Sequence, residues 1–258
     1  MTAPALETIV VTLDGAIGTI TLHRPERHNA MNRQLLEELV AAATWLDDQP
    51  ELKVVLVRGD GPSFSAGFDL KQQDDPEAGN SAALGLAMAT AVRKLQALTV
   101  AAVHGHCVGG GVVLAAACDL RIAAASVAFR IPEIDLGIPL FWDGIPLLVR
   151  ELGPALTKDL VLTCRPMGAQ EAKTVGFVNR VAPDAELRAV AQALVIELSA
   201  KPRHGILTTK QQVDEAALGG GWGDGVVDAA RMAAAFADPE SSLAARDYMR
   251  RTMGPRPG

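Results

Sequence analysis

The sequence predicts an α/β fold with a helical C-terminal appendage. Short β-rich runs alternate with helical patterns over the first two thirds of the 258 residues. From Ala200 to the end no strand pattern occurs. Hydrophobic residues make up 49% and aromatic residues 4%, so the core must be aliphatic. A chain of this size buries roughly 70% of its extended surface, ample for one large core. The expected organisation is a core over 1–199 and an oligomerisation region over 200–258.

Thr8 to Leu13 and Ile17 to Leu22 read as a hairpin around Asp14-Gly15-Ala16. Asn32 opens a helix to about Asp48, with Leu35, Leu36, Leu39, Val40 and Ala43 on one face. Lys53 to Val57 is a buried strand that runs into the loop Gly59-Asp60-Gly61-Pro62. Asp74 to Asn80 is polar, a mobile surface loop. Ser81 to Leu98 is helical and Val100 to Val103 is a strand. Gly109-Gly110-Gly111 leads into the helical run Val112 to Ala117. Leu120 to Ala123 and Val127 to Ile131 are strands. Beyond Gly144 helices dominate, with one strand around Phe177 to Val181.

The net charge of −6 argues against nucleic acid or an anionic membrane as a partner, while allowing a local basic pocket. Cys107, Cys118 and Cys164 form neither a disulfide framework nor a zinc pattern, which suits the cytoplasm. The first fifteen residues lack the layout of a signal peptide. The most apolar stretch, Val108 to Cys118, is too short to span a bilayer.

Three features carry chemistry. Gly109-Gly110-Gly111 sits between a strand and a helix start, where free N–H groups can hold an oxyanion. It has neither Walker nor dinucleotide spacing, and tight strand–helix packing explains it equally well. Ser63 to Leu70 follows a strand and a Gly/Pro loop, and Gly67 can expose the Phe68 N–H. Ser65 has Gly67 after it but Ser63 before it, so it fits a nucleophile elbow poorly. Glu133 lies in the apolar run Pro132 to Pro139, where an enclosed carboxylate would shuttle protons; a solvated loop acid is the bland alternative. His104 and His106 lack further ligands nearby, so no metal site is expected. Phe141 and Trp142 are candidates to line a pocket in a ring-poor chain.

Together these motifs resemble the crotonase (enoyl-CoA hydratase/isomerase) superfamily. The resemblance begins at Arg24-Pro25-Glu26-Arg27-His28-Asn29-Ala30-Met31-Asn32 and continues through Phe64 to Leu70. It then takes in His104 to Gly111, Cys118 to Ala123 and Pro132 to Gly137, and ends around Phe236-Ala237-Asp238. It implies a spiral of ββα units followed by a helical trimerisation region, assembled as a homotrimer or a dimer of trimers. The implied substrate is an acyl-CoA thioester, with no cofactor beyond the coenzyme A of the substrate. The Phe68 and Gly110 N–H groups would hold the thioester oxygen as an enolate. Coenzyme A would lie near Ala30, Ala66, Asp69 and Leu70. The position that is commonly basic for its phosphates is Glu26 here, which leaves Arg27 or Arg250 for that role.

One departure decides the expected reaction. Family hydratases use two carboxylates, and the position of the first is Val113. The second matches Glu133. Moving a double bond needs a single base, and Val113, Phe141 and Trp142 would form the acyl pocket. The leading expectation is a 3-enoyl to 2-enoyl-CoA isomerase with Glu133 as sole acid/base. The alternatives are a hydratase or related lyase that recruits Asp143, and a non-catalytic acyl-CoA binder.

Overall fold

The computed structural model describes residues 3–70, 81–217 and 225–253. The Asp74–Asn80 segment lies outside the described residues. The hairpin forms as expected: β1 (Ile9–Asp14) pairs antiparallel with β2 (Ile17–Leu22), and Gly15 takes φ 54° in the turn. Asn32 caps α1 (Arg33–Asp47), its side chain accepting from the Leu35 N–H at 2.9 Å. Such a cap contributes about 1 kcal/mol. The helix buries Leu35, Leu36, Leu39 and Leu46 completely.

Three units then repeat one plan. β3 (Val54–Gly59) is followed by a segment in which Ser65 bridges to a second sheet, then by α2 (Ser81–Lys94). β4 (Leu98–Val103), β5 (His106–Val108) and α3 (Gly110–Ala117) form the second unit. β6 (Leu120–Ala124), β7 (Ala128–Arg130) and α4 (Gly144–Thr163) form the third. β8 (Met167–Gly168), α5 (Ala169–Thr174), β9 (Arg180–Ala182) and α6 (Leu187–Ser199) follow. Each unit gives its first strand to a large sheet, ordered β1-β2-β3-β4-β6-β9, and its second segment to a small one, β5-β7-β8. This is the ββα spiral. All large-sheet pairings are parallel except β1–β2.

The central strands of the large sheet are buried on both faces, which explains the unbroken run Val54 to Val57. Val55, Val57, Ala101 and Val103 join the main core with α1. Leu56 and Ala102 face the other way, towards Leu187 and Ala191 of α6. The compact units are Met1–Val195 and Ile196–Gly258. The second contains α7 (Arg203–Ala217), α8 (Gly225–Ala237) and α9 (Pro239–Met253). No described helix is long and apolar enough to cross a membrane.

Several boundaries differ from expectation. The helix expected to Leu98 ends at Lys94, because Leu98 donates to the Lys53 carbonyl and starts β4. Phe177 and Val178 are core residues ahead of β9 rather than in it; the Val178 N–H is held by the Ala172 carbonyl. Gly110 and Gly111 lie inside α3, where the sequence suggested a loop before the helix. The strands of the small sheet at β5 and β8 were not foreseen, being three and two residues long.

Arg121 sits 2% exposed on β6. Its guanidinium pairs with Glu151, donates to the Phe177, Ala115 and Cys118 carbonyls, and lies 4.8 Å from the Phe177 ring centroid. Burial pulls its pKa down and Glu151 opposes this. Arg121→Ala would leave Glu151 to Arg150 alone and take the guanidinium donor from the Phe177 and Cys118 carbonyls, while Ala115 keeps the Cys118 N–H. The expected loss is about 2–4 kcal/mol of stability, read by urea unfolding. A loss under about 1 kcal/mol would mean that the network is not structural.

Candidate active site

The loop after β3 is built to expose one N–H. Ala66 donates to the His28 carbonyl, and Gly67 turns the chain at φ 86°. Met31 then clamps the turn from one side: its N–H donates to the Gly67 carbonyl at 2.7 Å, and its carbonyl accepts from Asp69 at 3.0 Å. The Phe68 N–H between them meets no acceptor among the described residues. Ser65 is buried; its Oγ donates to the Asn29 carbonyl and accepts from the Gly67 N–H. That hydroxyl shapes the turn and is not a nucleophile.

The second N–H comes from the start of α3. Gly109, at φ 48°, donates to the Arg130 carbonyl and accepts from Val112 and Val113. The Gly110 N–H has no acceptor among the described residues. A Cβ on Gly67 would stand 2.6 Å from the Val108 oxygen and 3.4 Å from the Gly110 nitrogen. Only glycine lets the two segments approach this closely, and the two free N–H groups therefore border one space.

Glu133 reaches that space from the turn after β7. Its Oε1 lies 2.3 Å from where a Gly109 Cβ would be, so the carboxylate rests on the glycine backbone. Oε2 is buried and has no hydrogen-bond partner, alone in this among the buried side-chain oxygens and nitrogens of the described residues. Burial raises the Glu133 pKa, against a smaller opposing effect from its own backbone N–H. A desolvated carboxylate beside two unpaired donors is a proton acceptor next to an anion cradle.

Trp142 walls the site. It is buried, and its backbone takes φ 63°, a conformation that a bulky residue rarely adopts. Its ring occupies a notch between helices α2 and α3. A Cβ on Gly85 or on Gly110 would come within 2.1 Å of it. The ring meets Phe68 edge to face, centroids 6.2 Å apart. Val113 is fully buried one turn beyond Gly110 and packs against the Gly144 backbone. Phe141, next to Trp142, is 51% exposed. Asp143 follows Trp142 at φ 62°, half-buried, with no cap bond from its carboxylate.

At the other end, Asp69 is buried and accepts from Arg24 Nη1 at 3.1 Å. Arg24 also holds the Ala30 carbonyl. Sequence reasoning missed this arginine, although it stands in the quoted motif; the Asp69 carboxylate orders the 24–30 segment. Arg27 is exposed in the 3-10 turn Pro25–Arg27, with no ion pair among the described residues, and its carbonyl accepts from Ala30. Ala66 is half-buried and Leu70 is exposed. Arg250 pairs with Asp247 on α9. Gly85 was also missed. A lone glycine inside an apolar helix was the available signal. Among the described residues no three His, Cys, Asp or Glu are arranged to hold a metal ion.

The profile of the enoyl-CoA hydratase/isomerase family matches residues 12–219. The chain is 37% identical over 211 residues to a Mycobacterium bovis protein named probable enoyl-CoA hydratase, covering 81% of this chain and 82% of that one. It is 38% identical over 196 residues to the carnitinyl-CoA dehydratase of Escherichia coli, covering 73% and 75%. A Thermobifida fusca chain solved in complex with CoA is 29% identical, with a TM-score of 0.79, covering 97% of this chain and 99% of that one.

Proposed function

The chain belongs to the enoyl-CoA hydratase/isomerase family, and we propose that it moves the double bond of a 3-enoyl-CoA to the 2-position. Glu133 takes a proton from C2 of the thioester. The electron pair moves into the carbonyl, and the Phe68 and Gly110 N–H groups hold the resulting enolate oxygen. Each such donor is worth about 3 kcal/mol at the transition state. Glu133 then returns the proton at C4, and the double bond settles between C2 and C3. One carboxylate suffices because the same group removes and delivers the proton.

The carrying observation is the pairing of a half-buried Glu133, whose Oε2 is buried and unpartnered, with a fully buried Val113 where family hydratases place their other carboxylate. The reaction calls for no metal, flavin or nicotinamide; coenzyme A enters with the substrate. We assign its phosphate end to Arg27 and its body to Ala30, Ala66 and Leu70, with Asp69 ordering the wall through Arg24. Val113 and Trp142 bound the acyl end, and Phe141 stands at its rim. The free thiols Cys107, Cys118 and Cys164 suit a cytoplasmic protein. The proposed assembly is a homotrimer or a dimer of trimers. Exposed Val213, Met232, Phe236, Leu243 and Tyr248 in the second unit supply apolar surface for it.

The second reading is a hydratase or related lyase, favoured by the names of the relatives, with Asp143 as the further acid. Incubation with 3-enoyl- and 2-enoyl-CoA separates the two. Isomerisation creates ultraviolet conjugation at constant mass, whereas hydration adds the mass of water. Turnover of 2-enoyl-CoA to the hydrated product, with 3-enoyl-CoA untouched, would overturn the isomerase. Binding of both without turnover would leave an acyl-CoA binder.

Val113→Glu tests the departure itself. The added carboxylate is expected to raise hydration of 2-enoyl-CoA at least about tenfold, a fraction of what a general base supplies. A folded variant with no gain would show that the missing carboxylate is not what limits hydration.

A further inference from the structure

A second cavity of about 480 Å³ opens at the carboxyl ends of β3 and β4, between the sheet face turned from the main core and the start of α6. That volume falls in the range of small-molecule sites. One side of it is apolar, with Leu56, Ala102, Leu187 and Ala191, and the rest of the lining includes His104, Ser126 and Asp184. Two arginines interrupt it, Arg58 from the end of β3 and Arg188 from the first turn of α6. In a parallel α/β sheet the strand ends are the usual place for a ligand.

An arginine on a central strand needs a reason. Arg58 is half-buried, and its Nε donates to Thr21 Oγ1 at 3.0 Å. Neither guanidinium is engaged by a carboxylate within 4.0 Å among the described residues. Both arginines line the same opening; burial and the Arg188 charge lower the Arg58 pKa, and the Asp60 charge opposes them. Asp60 acts on both arginines through its charge, and each nearby acid also has hydrogen-bond partners of its own. Asp60 accepts from His23 and the Gly61 N–H. Asp184, at the rim, accepts from the Ser126 hydroxyl and N–H. His104, left over from the His104-x-His106 pair, is tied through Nε2 to the Gly61 carbonyl.

The floor is rigid. A Cβ on Gly59 would lie 2.4 Å from the Ser63 oxygen, and one on Gly105 would lie 2.0 Å from the Pro62 oxygen. Asn29 Nδ2 pins the same loop through the Asp60 and Ser63 carbonyls. The cavity is therefore preformed, and two guanidinium forks with free N–H groups border its mouth. Guanidinium forks suit a phosphoryl group, whose oxygens accept several charge-assisted bonds at once.

We propose that Arg58 and Arg188 form a binding site for a small phosphorylated molecule, with the phosphoryl group between the guanidiniums and the body of the ligand against Leu56 and Ala102. The site is separate from the thioester site and does not depend on the reaction assigned there.

Calorimetric titration of the intact protein with inorganic phosphate, adenosine monophosphate and coenzyme A tests it. The expected result is saturable binding of phosphate, tighter binding of the monophosphate because of the apolar wall, and at least a tenfold loss for each in R188Q and in R58Q. Arg188 is exposed, so R188Q keeps the fold even if R58Q does not. Coenzyme A affinity and turnover of enoyl-CoA should stay unchanged in R188Q. Three results would overturn the proposal: no saturable binding of phosphate or monophosphate, binding retained in R188Q, or a change of assembly mass in R188Q. The last would mean that an acid from a second copy fills the site.

Discussion

Glu133→Gln should lower isomerase turnover by roughly 10²–10⁴-fold, the usual contribution of one positioned acid/base. It should also make the protein more stable near neutral pH. The Glu133 pKa is raised by burial, so folding favours its protonated form. The sign follows from linkage: that preference adds stability fully below the unfolded carboxyl pKa, and the benefit is lost as pH rises through the folded pKa. Above it, the folded chain carries the cost of a partly desolvated carboxylate whose Oε2 is unpartnered. Glutamine removes the charge. The thermal midpoint of the variant should therefore exceed that of the parent at pH 8 and approach it near pH 4. In the parent, kcat/KM should rise with pH along a limb centred above the ordinary glutamate value of 4.5. A variant that loses both stability and activity would make Glu133 a structural residue. Unchanged turnover would remove it from the reaction.

That combination explains which parts of the site the sequence could disclose. Glu133 stands out because an acid in the run Pro132 to Pro139 is locally inconsistent, and inconsistent residues gather at functional sites. The glycines of 109–111 are legible for the same reason. Asn32 announces its helix because the cap is a local hydrogen bond over three residues. The hairpin is legible because Gly15 marks its turn. What the sequence hides is long-range. Trp142 against Gly85, and Arg24 against Asp69, join residues 57 and 45 positions apart, respectively. Nothing in the neighbourhood of either partner announces the other. The small sheet was hidden for a different reason: two- and three-residue strands are too short for alternation to register. The helix expected to Leu98 was overrun by tertiary pairing, since residue propensity near Leu95 cannot outweigh the ladder that begins at Leu98.

The Trp142 notch allows the proposed oxyanion donor to be separated from the proposed acyl wall, and the expected effect is large. Gly110 lies in helical backbone, so alanine there is not strained and its intrinsic preference is favourable. Its Cβ would nevertheless meet Trp142 Cζ3 at 2.1 Å. The ring cannot retreat towards α2, because Gly85 already touches it from that side with equal closeness. Gly110→Ala must therefore shift the start of α3 or expel the indole. A shifted α3 misdirects the Gly110 N–H, and kcat should fall by roughly 10²–10³-fold, the cost of one lost oxyanion donor. Gly85→Ala pushes on the same ring from the opposite side and carries no donor to the thioester. It should alter KM and acyl-chain preference while kcat stays within about tenfold of the parent, given that one methylene of pocket shape is worth about 1–3 kcal/mol in discrimination. Steady-state kinetics on the two variants decides the point. A large kcat loss confined to Gly110→Ala ties the chemistry to its N–H. Equal kcat losses in both would assign the effect to the displaced indole and take the Gly110 donor out of the mechanism.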